Sequence, residues 1–249
     1  MKIKSILVSQ PKPETARSPY FELAEKNNIK IDFRPFIQVE GVSAKEFRQT
    51  RIHILEHTAV IFTSRTAVDH FFRICEELRV TVPDTMKYFC ISEATAYYLQ
   101  KYIVYRKRKI FYGSGKFSDL INVMKKHKTE KFLVPLSDTH KQQIPGLLDK
   151  SGFKYTKAVL YRTVSSDLSD LKDVNYDILV FFSPSGIRSL YDNFPDFQQN
   201  DTRIACFGPS TAKAVKEAGL KLDIQAPTSQ APSMAMALEQ YIKEANKGN

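Results

Sequence analysis

Short unbroken apolar runs alternate along the chain with amphipathic stretches. Six runs read as buried strands: Ile6-Leu7-Val8, Ala59-Val60-Ile61-Phe62, Tyr88-Phe89-Cys90-Ile91, Phe132-Leu133-Val134, Ile178-Leu179-Val180-Phe181-Phe182 and Ile204-Ala205-Cys206-Phe207. They are continuous rather than alternating, the pattern of parallel strands covered on both faces. Between them Ala67, Phe71, Ile74 and Leu78 recur at helical spacing, and a second helical stretch, Thr211 to Ala218, runs into Gly219 as a stop. Strands alternating with helices predict an α/β fold with parallel sheets.

The two halves of the chain repeat one another. Phe62-Thr63-Ser64-Arg65-Thr66-Ala67-Val68 matches Phe181 to Ile187 at an offset of 119, and Cys90 to Ala96 matches Cys206 to Ala212 at 116. Ser118, opening a helix, matches Ser233 at 115, and Asn28-Ile29-Lys30-Ile31 matches Gly152-Phe153-Lys154-Tyr155 at 124. Four ordered matches with slowly drifting offsets predict two similar α/β domains from an internal duplication. The repeat alone suggests a cut near residue 125. Val164 to Asp170 and Val39 to Ala44 are the candidate connectors.

Composition bounds the partners. With 249 residues, 43% hydrophobic and 26% charged, the chain is long enough and apolar enough for sizeable cores. Its 37 basic against 27 acidic residues give a net charge of +10, which favours an anionic partner. Most of that excess lies in 101–131, where ten basic residues meet only Asp119 and Glu130. Tyr102, Tyr105, Phe111 and Tyr112 interleave with those cations, a nucleic-acid pattern. A solvated face over a helix end and a core strand is the reading we favour there. No apolar run reaches the about 20 residues needed to span a bilayer, and the first residues read as a strand rather than a leader, so the chain is expected to be cytoplasmic.

Several chemistries find little support. Cys75, Cys90 and Cys206 are an odd number without a CxxC pair and are expected to be reduced and buried. The glycine cluster at Gly113 and Gly115 lacks what either nucleotide loop needs, having Ile110, Phe117 and Ser118 at the deciding positions. His53 and His57 are expected as a helix-surface pair, and His127 and His140 as solvated. There is no GxSxG elbow.

Each repeated segment is a strand, a Ser/Thr-rich turn and a helix. Ligands of α/β sheets bind at that strand edge, where helix-start amides hold anions without cationic side chains. Four such turns occur: Thr63-Ser64-Arg65-Thr66, Ser92-Glu93-Ala94-Thr95, Ser183-Pro184-Ser185-Gly186 and Gly208-Pro209-Ser210-Thr211. Their hydroxyls are either ligands or merely N-caps. Facing each other, two such domains would form a cleft.

The series Val60-Ile61-Phe62-Thr63-Ser64, Ile91 to Ala96, Tyr161-Arg162-Thr163, Val180 to Gly186, Phe207 to Ala212 and Ala226 to Met234 resembles the uroporphyrinogen-III synthase family from about residue 4 to 242. The resemblance implies two α/β domains joined by a two-stranded linker, one of residues 1–38 and 165–249, the other of 39–164. It implies a cyclising lyase that takes hydroxymethylbilane, removes water, inverts the last pyrrole ring and closes the macrocycle, without metal or organic cofactor. The partner would be that polycarboxylate alone, with neither nucleic acid nor membrane, and the chain a monomer. Tyr161 matches the tyrosine of the family's Tyr-x-Thr motif and is the expected catalytic residue. Ser64, Arg65, Ser92, Thr95, Ser183, Ser185, Gly208, Ser210 and Thr211 are the expected substrate-binding set. The chain departs from the family's usual residues at Gln10, at Ser92 and after the strand Phe132-Leu133-Val134, at Pro135 to Asp138. A non-catalytic module binding a tetrapyrrole or another polyacid is the alternative.

Overall fold

A computed structural model of the chain describes residues 2–15, 17–140, 143–171 and 174–247. Strands and helices follow one another as β1 (Ser5–Val8), α1 (Pro19–Asn27), β2 (Lys30–Phe33), β3 (Ile37–Gly41), α2 (Ala44–Gln49), β4 (Ala59–Phe62), α3 (Arg65–Glu77), β5 (Lys87–Cys90), α4 (Glu93–Tyr98) and β6 (Ile110–Tyr112). The order continues with α5 (Phe117–Met124), β7 (Lys131–Ser137), α6 (Gln143–Lys150), β8 (Lys154–Ser165), β9 (Ile178–Phe181), α7 (Pro184–Asn193), β10 (Arg203–Phe207), α8 (Pro209–Glu217), β11 (Leu222–Ala226) and α9 (Met234–Lys247). The fold is α/β with two sheets, and every strand pair among β1, β2 and β9–β11, and among β4–β8, is parallel.

The chain divides into two compact units, residues 1–38 with 164–249, and residues 39–163. The boundaries fall inside β3 and near the end of β8, so these two strands carry the chain from one unit to the other. The first unit's sheet has the order β11-β10-β9-β1-β2, and the other sheet β6-β5-β4-β7-β8-β3. Position by position the strands correspond to the sequence repeat, β11 with β6, β10 with β5, β9 with β4, β1 with β7, and β2 with β8. Asn28 (φ 52°) and Gly152 (φ 70°), matched in sequence, both adopt the left-handed conformation that ends a helix ahead of β2 and β8. Each unit therefore combines strands from both repeats, which is why a cut near residue 125 separates neither.

Period-two burial builds the cores. In the 39–163 unit, Val60 and Phe62 of β4 join the cluster containing Phe71 and Ile74 of α3. Ala59 and Ile61 join the opposite cluster with Leu120 of α5 and Leu148 of α6. In the other unit Leu7, Leu179 and Phe181 meet α7 and α8, while Ile6, Val8 and Val180 meet Leu23 of α1 and Leu238 of α9. All three cysteines are free and buried, and burial pushes the thiols of Cys75 and Cys90 up to about 12.

Some expectations are corrected. His53 and His57 do not share a helix: they flank a 3₁₀ turn at Ile54–Glu56, and His57 contacts the His53 carbonyl (2.9 Å) and Thr156 Oγ1 (2.9 Å). His127 is not simply solvated, since its ring lies 4.4 Å from Phe111 and 5.2 Å from Phe89 between centroids. His140 is half-buried, with Nδ1 2.9 Å from the Ser137 carbonyl. Ser118 lies inside α5, whose cap position is Lys116, whereas Ser233 caps α9 by accepting from the Met236 amide at 3.3 Å. Pro135 to Ser137 do not follow the strand but extend it. Pro135 is accommodated because the β4–β7 ladder ends at Leu133, so its missing N–H takes nothing from that ladder. The cations of 101–131 are exposed apart from half-buried Lys109.

Candidate active site

In the 39–163 unit the strand carboxyl ends bring half of the expected residues to one sheet edge. Ser64, extended at φ −161°, caps α3, and its Oγ accepts from the Ala67 amide at 3.0 Å. Ser92 caps α4, its Oγ accepting from the Thr95 amide at 3.3 Å and lying 3.2 Å from Oγ1 of buried Thr95. Phe62 pairs with Cys90 in the β4–β5 ladder, so these two turns are neighbours. Tyr161 reaches the edge from β8. A register shift beside Ser137 carries it past Leu160, and its phenol oxygen stands 3.5 Å from Ser64 Oγ.

The Tyr161 ring lies on the His70 imidazole, with centroids 5.0 Å apart and planes 18° from parallel. His70 Nδ1 accepts from Arg73 Nε at 3.1 Å. Arg73 also donates to the Val42 carbonyl (2.8 Å) and the Leu160 carbonyl (3.3 Å) and pairs with Glu77. Burial, then the neighbouring Arg73 charge, hold His70 below the ordinary imidazole pKa. Arg65 is exposed at the first position of α3, its guanidinium 5.3 Å from the Tyr98 ring centroid. Tyr98 in turn donates to Asp69 at 2.9 Å.

In the other unit Ser183 caps α7 by accepting from the Gly186 amide at 3.2 Å. Gly186 lets that turn lie close over its strand, since a Cβ there would stand 3.3 Å from the Phe181 ring. Gly208 takes φ +88°, open to glycine at little cost, and its amide donates to Ala226 at 2.7 Å. Thr211 is 1% exposed, Ser185 half-buried and Ser210 exposed.

Three of the five turn serines, Ser64, Ser92 and Ser183, are thus engaged as caps, leaving the first-turn amides to hold an anion. Helix geometry leaves those of Arg65, Thr66, Glu93, Ala94, Ser185, Ser210 and Thr211 without an intrahelical partner. Arg65 is the one cationic side chain in the four turns. The structure brings Tyr161, Ser64, Ser92 and Thr95 to one sheet edge, with Arg65 at the head of α3. Ser183, Ser185, Gly208, Ser210 and Thr211 lie at the corresponding edge of the other sheet. Asp138, directly after β7, binds β8, donating its amide to the Tyr161 carbonyl (3.1 Å) and accepting from the Thr163 amide (3.3 Å). Sequence reasoning missed His70 and Arg73. Their spacing of three places them on one helix face, but Leu160 and Tyr161, which they meet on β8, lie some ninety residues away.

A family model described as Uroporphyrinogen-III synthase HemD matches residues 18–236. The chain belongs to the uroporphyrinogen-III synthase family. It is accordingly an enzyme of tetrapyrrole biosynthesis, a cyclising lyase. A curated relative named uroporphyrinogen-III synthase, from Chlorobaculum parvum, is 24% identical over 97% of this chain and 100% of its own length. Among solved structures, a uroporphyrinogen-III synthetase from Helicobacter pylori superposes with a TM-score of 0.60 at 17% identity, covering 97% of this chain and 100% of that one. A mutant uroporphyrinogen III synthase from the extremely thermophilic bacterium Thermus thermophilus gives 0.53 at 15% identity, covering 99% and 100%. These two share the fold. Among the described residues no helix is long and apolar enough to cross a membrane.

Proposed function

We propose that the chain converts hydroxymethylbilane to uroporphyrinogen III, with Tyr161 as the catalytic residue. The observation that carries this is the Tyr161 phenol, 3.5 Å from Ser64 Oγ, at a sheet edge lined by unclaimed helix-start amides. The lone pair of the terminal pyrrole nitrogen expels the hydroxyl, which takes a proton from Tyr161 and leaves as water. The resulting azafulvene is attacked by the substituted carbon of the last ring. The bond from that carbon to its methylene bridge then breaks and the bridge is taken up by the ring's other α-carbon, which inverts the ring and closes the macrocycle; the proton lost from that α-carbon restores the pyrrole and balances the one given by Tyr161. The enzyme's main work is to fold a flexible chain so that the right carbon meets the electrophile.

In this reading the two units are the family's two domains, and each offers the substrate the groups at its own turn-bearing sheet edge. Ser64, Arg65, Ser92, Thr95, Ser183, Ser185, Gly208, Ser210 and Thr211 hold the eight substrate carboxylates, mainly through backbone amides and hydroxyls. Elimination needs a proton and a fixed conformation, so no metal or organic cofactor takes part. The protein acts as a cytoplasmic monomer without nucleic acid, and the basic stretch 101–131 is a solvated face.

The purified chain, given hydroxymethylbilane, should yield the type III isomer by chromatography of the oxidised porphyrins. Appearance of only the spontaneously formed type I isomer rejects catalysis and leaves the binding-module alternative. Tyr161→Phe should lower kcat by about 100-fold with little change in KM, the usual size of a lost proton donor.

A further inference from the structure

We propose that His70 is a positioning residue for the reaction: as the neutral imidazole held by Arg73, it fixes the ring of Tyr161 beside Ser64. The inference rests on the assignment of Tyr161 above and extends it to a residue that neither the motif comparison nor the cap pattern singles out.

The geometry is a chain of directed contacts. Arg73 is anchored on two backbone carbonyls, Val42 and Leu160, and on Glu77. A Cβ on Gly41 would lie 2.7 Å from the Arg73 guanidinium carbon, so this close approach uses a residue without a side chain. The anchored guanidinium donates through Nε to His70 Nδ1 at 3.1 Å. Nδ1 is therefore an acceptor, and the imidazole proton sits on Nε2. So fixed, the ring lies flat against Tyr161. The same arginine holds the carbonyl of Leu160, the residue before Tyr161. Helix α3 thus grips the β8 backbone at 160 and the side chain at 161 from residues one turn apart.

Protonation breaks this arrangement. A second proton on Nδ1 would confront the Arg73 N–H and set two cations side by side. The charged groups around the imidazole are Asp69, Arg73 and Glu77 on α3, while β8 presents Tyr161. Burial and Arg73 keep the ring neutral to lower pH than a free histidine, and Asp69 and Glu77 oppose this only in part.

The test compares His70→Ala, His70→Phe and Tyr161→Phe by kcat, KM and pH profile for type III product, with thermal melts as a folding check. His70→Ala should lower kcat about 10-fold at nearly constant KM, the scale of a misplaced reacting group. His70→Phe keeps a flat ring and should recover kcat to within about threefold while losing an acid-side inflection present in the parent below the ordinary imidazole value of 6.5. Wild-type kcat in His70→Ala, or equal loss in His70→Ala and His70→Phe, overturns the proposal while leaving Tyr161 in place. A fully active Tyr161→Phe overturns the assignment of Tyr161, and the route through His70 with it. Should His70→Ala melt early, His70→Phe and the pH profile still decide.

Discussion

Helices α3 and α7 occupy matched positions in the two units, and each clamps the strand segments where the chain passes between units, with different side chains. Around α3, the Val42 amide donates to the Leu160 carbonyl at 2.9 Å, and Arg73 donates to both the Val42 and Leu160 carbonyls. Around α7, the Ser166 amide donates to the Phe36 carbonyl at 2.9 Å, Ser189 Oγ donates to that same carbonyl, and Asn193 Nδ2 donates to the Ser166 carbonyl at 3.0 Å. The offset of 124 relating Asn28 to Gly152 also relates Phe36 to Leu160 and Val42 to Ser166. One backbone arrangement is thus served twice, by an arginine on one helix and by a serine and an asparagine on the other. The offset of 119 places His70 opposite Ser189, which is fully buried in the clamp itself, and that of 124 places Tyr161 opposite Ile37. The clamp belongs to the scaffold, and the aromatic pair was built onto only one copy.

Breaking each clamp separates the two roles. Arg73→Ala removes charge-assisted bonds to two carbonyls and the anchor of His70. It should cost about 2–3 kcal/mol in urea unfolding and about 10-fold in kcat. Ser189→Ala should cost about 1 kcal/mol and leave kcat within about twofold. Equal kcat losses in both variants would mean that the α3 clamp has no special tie to chemistry. Next in size is Gly41→Ala, whose added methyl meets the Arg73 guanidinium and should destabilise by about 1–3 kcal/mol. The matched Ser165 already carries a side chain, bonded to Asp192, so Ser165→Ala should cost less. The smallest effects concern the caps. Ser64→Ala and Ser183→Ala each lose one bond to a helix-start amide, about 1 kcal/mol apiece. Only Ser64→Ala removes a hydroxyl beside Tyr161, so it alone should alter the pH profile of kcat.

Much of this was legible from the chain because the signals were local. The run Ala59 to Phe62 is apolar on both faces and buried on both, so continuity alone marks a central parallel strand. Ser64, Ser92 and Ser183 stand between an apolar run and a helical pattern, where a cap belongs. By contrast β3 is largely exposed, and β11 buries only Ile224 and Ala226, so neither leaves a strong apolar imprint. His127 follows two lysines and reads as polar, yet its ring rests on Phe89 and Phe111 from other strands. His70 was illegible for the same reason: what makes it matter is Tyr161, placed beside it by a register shift that no local pattern encodes.

Strand β1 pairs with β9 through Ile6 and Ile178, while the whole unit of residues 39–163 lies between them in the chain. During synthesis the middle unit is therefore complete before β1 and β2 can receive their remaining strands. Strand β1 leaves the ribosome before the 39–163 unit yet is enclosed only after it, so Ile6, Leu7 and Val8 wait for their β9 partner until that unit has been made. For this chain the vulnerable interval of biogenesis belongs to strand β1, an apolar segment that must wait for residues made more than a hundred positions later.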